Sequence, residues 1–375
     1  MRSTPLHRHP DPMDPEQPTT RTPGFRLRDG WWVLGVALLF SLGLATWALA
    51  PAVLRLVDRP PGDGTSIESF EFDLRTPSID TNLLQPAMLH RDMIPVMDEP
   101  VILSMEDIKE RNNDRRTRYL VPSDLVIGVE HGGEVRAYPI SVLNVHELIH
   151  DELGGTPILV SWHWPSASAR VLVRRDALQQ FRVSGLVGGG NGLFYEPNDG
   201  VKPGGEHLHS QLLAQTITGP GAGKTFETLP HQFTRWEDWS TRHPDTTAIA
   251  PDPDLKKRYK KSSPFTYYEH DQLMFPGLET SSGPPDKTWV TVVELDGQAR
   301  AWSWPWLQAQ AVDGAVESNL GDRRLRFIVT TDPDTVIVLD AGTMEPLDSL
   351  HGLWCSMEAL KGPLDITHKG SALSQ

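Results

Sequence analysis

Residues 126–143 read VIGVEHGGEVRAYPISVL, and residues 290–307 read VTVVELDGQARAWSWPWL. At a constant offset of 164, Val126, Val129, Glu130, Gly133, Arg136, Ala137 and Leu143 are identical to Val290, Val293, Glu294, Gly297, Arg300, Ala301 and Leu307. Unrelated segments of this length share roughly one residue by composition. Both stretches therefore read as copies of one unit. In each, an apolar run enters Gly132-Gly133 or Asp296-Gly297, which supply the positive φ of a tight hairpin, and leaves as a second strand. A three-residue loop would put Glu130 and Arg136 on one face, able to pair diagonally; a two-residue loop would put them on opposite faces. The recurrence of this Glu/Arg pair in both copies reads as structural. Pro139 and Pro305 then lead into short helical patterns, with Pro305 near a first turn. The match resumes after a three-residue insertion, Leu153-Gly154 against Leu320-Gly321, and continues in apolar strands at 158–160 and 325–329.

The fold class expected from this pattern is β-rich α+β. Two pseudo-symmetric, hairpin-containing repeats form one soluble domain, preceded by one N-terminal transmembrane helix. The expected boundaries are a disordered cytoplasmic leader at 1–30, the helix at 31–50, a linker at 51–90 and the first half at 91–250. A connecting loop at 251–288, the second half at 289–366 and a tail at 367–375 complete the chain.

The helix is WWVLGVALLFSLGLATWALA, residues 31–50, without a charge. Twenty helical residues span about 30 Å, the thickness of a bilayer core. Trp31, Trp32 and Trp47 suit its interfaces. A cleaved signal peptide is the rival, and Ala48-Leu49-Ala50 resembles a cleavage site, but its apolar region would be shorter. Arg21, Arg26 and Arg28 precede the run, against Arg55 and Arg59 after it. That bias puts the N-terminus in the cytoplasm and the large domain outside, as a single-pass protein of the cell inner membrane.

The formal charge of −14 opposes non-specific binding to nucleic acid, which needs clustered positive charge. The one basic run, Lys256-Lys257-Arg258 to Lys260-Lys261, reads as a solvated loop. A single cysteine, Cys355, excludes an intrachain disulfide and a thiolate metal cluster, and reads as a small buried apolar residue. Residues 218–225, TGPGAGKT, imitate a phosphate-binding loop, yet the first glycine falls one residue late and no helix pattern follows. No nucleotide is expected. No serine elbow is present. The tryptophans at 236, 239, 302, 304 and 306 suit core packing.

Histidines are the remaining chemistry. His146 and His150 share a face if residues 140–152 are helical, with Glu147 and Asp151 on the adjacent one. His207 and His209 point the same way in a strand, and His163 ends another. These five are candidate ligands for a divalent metal; surface or core-satisfied histidine is the alternative. At the equivalent positions of the second repeat, His146 and His150 become Gln310 and Gly314, so the unit packs without them.

Several motifs resemble those of the bacterial domain-of-unknown-function 3179 family. They run from Asp124-Leu125-Val126-Ile127-Gly128-Val129-Glu130 through Arg136-Ala137-Tyr138-Pro139, Leu143-Asn144, His146-Glu147 and Asp151 to Gly154-Gly155. Val183-Ser184-Gly185-Leu186, Ser210-Gln211-Leu212, Thr218-Gly219-Pro220, Trp236-Glu237-Asp238-Trp239 and His243-Pro244-Asp245-Thr246 follow in order. The resemblance covers roughly residues 90–340 and implies an exported or membrane-associated protein, without an established activity. Relatives commonly carry a segment of the type Cys-Pro-Leu-Cys, or a one-cysteine version of it, where this chain has Ser161-Trp162-His163-Trp164-Pro165-Ser166. A thiol role suspected for relatives therefore does not carry over. A tryptophan expected before Ser210-Gln211 is His209 here. The reading is a membrane-anchored binding or scaffold module, with a metal-dependent site as the alternative; its ligand and partner stay open.

Overall fold

The computed structural model describes residues 31–57, 60–113, 118–198, 204–259, 265–280 and 282–368. The chain divides into two compact units, 1–59 and 60–375.

In the first unit, α1 (Trp31–Val57) is a continuous helix that outlasts the apolar run. It is the one helix among the described residues long and apolar enough to cross a membrane, over Trp31–Ala50, and none of that stretch is buried. The expected leader at 1–30 lies outside the described residues.

The second unit is β-rich. One sheet has the order β12-β3-β4-β13-β2. Its strands are β12 (His231–Arg235), β3 (Leu125–His131), β4 (Glu134–Pro139), β13 (Thr247–Ile249) and β2 (Ile102–Leu103). A second has the order β19-β14-β15-β20, from β19 (Leu350–Leu353), β14 (Trp289–Leu295), β15 (Gln298–Ser303) and β20 (Asp365–Thr367). Two triplets follow the hairpins: β5 (Leu148–Leu153), β6 (Thr156–His163) and β7 (Ser168–Val173), then β16 (Ala315–Leu320), β17 (Arg323–Thr330) and β18 (Thr335–Asp340). The fifth sheet is β1 (Leu84–Pro86), β8 (Arg182–Gly188), β9 (Asn191–Tyr195), β10 (Leu208–Ser210) and β11 (Gln215–Thr216). The short helices are α2 (Met105–Asn113), α3 (Ile140–His146), α4 (Trp236–Arg242), α5 (Lys256–Tyr259), α6 (Phe265–Tyr268), α7 (Trp304–Gln310) and α8 (Trp354–Lys361).

Both hairpins turn in two residues. Gly132 and Gly133 have φ of 59° and 81°, and Asp296 and Gly297 have 52° and 76°, the double positive φ of a type I′ turn. Val129 therefore faces Arg136 and Val293 faces Arg300 across the ladders. Glu130 lies on the opposite face from Arg136, so the diagonal pair does not form. Arg136 instead binds Asp151 at 2.7 Å and Glu134 at 3.2 Å. Gly132 also touches the next turn: a Cβ there would sit 2.7 Å from Gly154.

Residues 140–152 are not one helix. α3 stops at His146 and β5 begins at Leu148. Leu148, Ile149 and Leu153 are buried against the triplet, and the Gly154-Gly155 turn returns the chain as β6, so strand pairing overrides the helical spacing. Part of the expected 51–90 linker is likewise folded. β1 pairs with β8, and Phe70, Phe72 and Leu84 pack against Leu186, Leu193 and Leu208. α3 follows Pro139, and α7 carries Pro305 in its first turn.

One main core joins the hairpin sheets and triplets through Trp162, Phe233, Trp302, Trp304 and Phe327. Trp162 stacks on Phe233 at 5.8 Å, and Phe233 lies 6.1 Å from Trp304. Trp236 and Trp239 pack in a smaller cluster behind β3. Cys355 is buried.

Candidate functional site

The site begins at the end of α3. The Glu147 amide closes the last turn on Leu143 O at 2.8 Å. Glu147 itself has φ 55° and ψ −37°, a conformation that non-glycine residues rarely adopt and that surrounding structure must hold. The clamp is its carbonyl, which accepts the Trp162 amide at 2.8 Å. The Trp162 indole in turn donates to Asn144 Oδ1 at 2.9 Å. β6 then delivers His163 as its last residue.

Glu147, Ser161, His163 and Gln211 line one cavity, walled by Leu148 and Phe194. Its volume is about 10 Å³, room for about one water. Among the described residues no hydrogen bond or ion pair reaches the Glu147 carboxyl. Burial pushes that carboxyl up to about 8 and the His163 imidazole down to about 3, because desolvation disfavours the charged form of each. Gly192 covers the imidazole so closely that a Cβ there would lie 2.7 Å from His163 Cδ2.

Behind His163 lies a closed polar network. His163 Nδ1 is 2.8 Å from Ser166 Oγ, and Ser166 Oγ is 2.9 Å from Ser168 Oγ. The Asn191 amide reaches Ser166, Ser168 and Gln211 Oε1 at 2.9, 2.8 and 2.8 Å. Asn191 Oδ1 accepts the Leu212 amide at 2.9 Å, and Gln211 Nε2 donates to Ser168 O at 3.1 Å. All four network side chains are buried, so each bond removes a desolvation cost.

The polar seam continues along β7. Arg170, two residues beyond Ser168, lies 3.4 Å from Asp348. Asp348 Oδ1 is 3.8 Å from His231 Nδ1. His351 Nδ1 lies 3.2 Å from Thr291 Oγ1, which also accepts the Trp304 indole at 2.8 Å. Burial lowers both His231 and His351, the latter to about 3. His231 Nε2, His351 Nε2 and Asp348 Oδ1 are buried without a hydrogen-bond partner.

The five histidines singled out by sequence do not converge. His146 is held by Pro95 O at 2.7 Å and Tyr259 Oη at 2.6 Å. His150 is held by Asp98 at 2.8 Å and by the Phe181 amide at 2.9 Å. His209 sits 3.0 Å from Thr216 Oγ1 among Phe181, Phe194 and Phe226. His207 precedes β10 and is partly exposed, 3.8 Å from Asp73. Only His163 of the five lines the cavity. The helix break at Glu147 separates His146 from His150. Among the described residues, no group of three or more His, Cys, Asp or Glu is placed to hold a metal ion. Sequence spacing missed Asn191 and Gln211, which meet at 2.8 Å, and His231 and His351, whose rings lie 6.4 Å apart. In residues 218–225, the amides of Gly219, Ala222, Gly223 and Lys224 are bonded to backbone carbonyls.

A family model described as protein of unknown function (DUF3179) matches residues 91–347. No curated protein matches the chain, and no solved structure matches it.

Proposed function

This chain belongs to the family described as protein of unknown function (DUF3179), and from that membership we propose a membrane-tethered module that binds a very small ligand at the Glu147–His163 cavity. Binding, rather than turnover of an organic substrate, is its work. The observation that carries this reading is the cavity itself: about 10 Å³ beside a buried carboxyl with no partner. Ordinary small-molecule sites hold about 300–1,000 Å³. The polar groups behind His163 are spent on one another.

In this reading α1 is the tether, and the arginine bias around it supports a folded unit outside the cytoplasm. The folded unit is an internal duplication. The matching sequences support it, as do two hairpin sheets that each flank their central hairpin with one antiparallel and one parallel strand. The binding cavity belongs to the first copy.

Two measurements test this. Full-length protein purified in detergent is expected to give no saturable turnover across hydrolase and redox substrate panels. Turnover abolished by Glu147→Gln would replace the module with an enzyme. A C-terminal alkaline phosphatase fusion is expected to be active; an inactive fusion with an active cytoplasmic reporter reverses the orientation.

A further inference from the structure

We infer that the space at the open end of the β8–β9 hairpin is a second binding site, for an aliphatic primary ammonium ion, with its head on Asp92 and Glu206 and its stem along Ile94 and Val96. None of its residues lines the Glu147–His163 cavity, so the two readings stand or fall separately.

Strand register assembles the site. Arg182, the first residue of β8, faces Tyr195, the last of β9, across the ladder. Tyr195 in turn faces Leu208 of β10, and Glu206 lies two residues before Leu208. The Asp92 amide donates to Val183 O at 3.1 Å, which brings the segment from 92 to 96 beside the same strand ends. These residues surround a cavity of about 380 Å³, within the size range of small-molecule sites.

Charge selects a cation. Arg182 grips Asp98 with both terminal nitrogens, at 2.9 and 3.0 Å. Arg91, wholly buried between the Phe72 and Tyr195 rings at 3.9 and 5.0 Å, pairs with Glu206 Oε2 at 3.0 Å. These pairs neutralise one another and leave the Asp92 carboxylate without an ion-pair partner among the described residues. Its one side-chain donor is the Tyr195 hydroxyl, 2.8 Å from both oxygens, whereas a carboxylate accepts about four hydrogen bonds. Glu206 supplies a second acceptor, and Asp92 lies within the field of its charge. The Glu206 side chain is 3% exposed; Oε2 also accepts the Gly204 amide at 2.8 Å, while Oε1 takes no hydrogen bond among the described residues. A nearly buried oxygen in that state calls for a donor. An ammonium brings three donors, no acceptor and the charge that Asp92 lacks.

Ile94 and Val96 decide what the ammonium is attached to. Both are half-buried, pack against the cluster of Leu148, Phe181 and Phe194, and line the cavity. An aliphatic stem laid along them gains about 25 cal/mol for each Å² of apolar surface removed from water. An inorganic ion would leave that wall unused.

The test uses the full chain in detergent and three probes on one five-carbon stem: 5-aminopentan-1-ol, 1,5-pentanediol and 5-hydroxypentanoate. Calorimetry at pH 7 is expected to show one amine bound per chain, with a Kd of about 1 mM or tighter. The diol and the carboxylate should bind at least tenfold more weakly. Asp92→Asn keeps an acceptor for the Tyr195 hydroxyl and should weaken amine binding at least tenfold. Val96→Trp fills the place of the stem and should do the same. Thermal melts establish folding, and where one variant does not fold the other decides. Glu317→Gln, which alters a carboxylate on β16, should bind as the wild type does. No saturable amine binding by the wild type, a diol that binds as tightly, binding unchanged in a folded Asp92→Asn or Val96→Trp variant, or binding lost in a folded Glu317→Gln variant overturns the assignment.

Discussion

The Glu147 carbonyl accepts the Trp162 amide at 2.8 Å, and this bond builds the cavity. It fastens the helix-to-strand turn to the strand that ends in His163. A carboxyl and an imidazole, sixteen residues apart in sequence, thereby line one small space.

Their ionisation biases oppose each other. Glu147 is raised from 4.5 to about 8, so its contribution is fully present below pH 4.5 and is lost as pH rises toward 8. His163 is lowered from 6.5 to about 3, so its contribution is present above pH 6.5 and is lost as pH falls toward 3. Between those unfolded values the two slopes cancel. Urea melts should show Glu147→Gln gaining on the wild type from pH 4.5 upward, reaching roughly 4 kcal/mol near pH 8. A difference that stays flat with pH refutes the assignment of Glu147 as the buried proton carrier.

Glycine at 128 is a packing requirement, whereas glycine at 133 is a conformational one. A Cβ on Gly128 would lie 2.3 Å from the Trp239 ring, while one on Gly133 meets nothing within 4 Å at φ 81°. Gly128→Ala should cost roughly 1–3 kcal/mol and shift Trp239 fluorescence. Gly133→Ala should cost about 1 kcal/mol and leave that emission unchanged. Equal spectra for the two variants would contradict the close approach.

Asn191 ties β9 to the Ser166–Ser168 turn and to Gln211. Asn191→Ala leaves several buried polar groups unpaired and should cost roughly 2–4 kcal/mol in chemical denaturation. Hydrogen exchange should accelerate at the Leu212 amide, which loses its acceptor. Protection unchanged at Leu212 would show that the network does not depend on Asn191.

Arg136 and Asp151 form a mostly buried ion pair at 2.7 Å, with Tyr138 also donating to Asp151 at 2.7 Å. Asp151→Asn strands the guanidinium with only Glu134 as a carboxylate partner and should cost roughly 3 kcal/mol. The double variant Arg136→Met, Asp151→Asn should recover part of that loss. A double variant no better than the sum of the singles would place the pair's energy elsewhere.

Much of the scaffold was legible because its signals are local. Gly132-Gly133 and Asp296-Gly297 mark turns through their own tolerance of positive φ, and both turns form. The uncharged run from Trp31 announces a long apolar helix by length and composition, and α1 occupies it. Pro139 and Pro305 mark the starts of α3 and α7 because a proline accepts the φ of a helix entry.

The site was not legible, because none of its determinants is local. Histidine spacing pointed to a helical face that the turn at Glu147 destroys, and a glutamate carries no intrinsic preference for φ 55°. His163 is distinguished from His146, His150 and His209 by its surroundings, not by its neighbours in the chain. Asn191 and Gln211 reach Ser166 and Ser168 only because β9 and the segment after β10 pack onto the end of β6 and β7. The sequence by itself determined the turns, the helix entries and the apolar span through backbone preference and hydropathy. Tertiary structure alone decided which carboxyl lost its solvent and which imidazole shares its cavity, because desolvation depends on atoms brought in from distant strands.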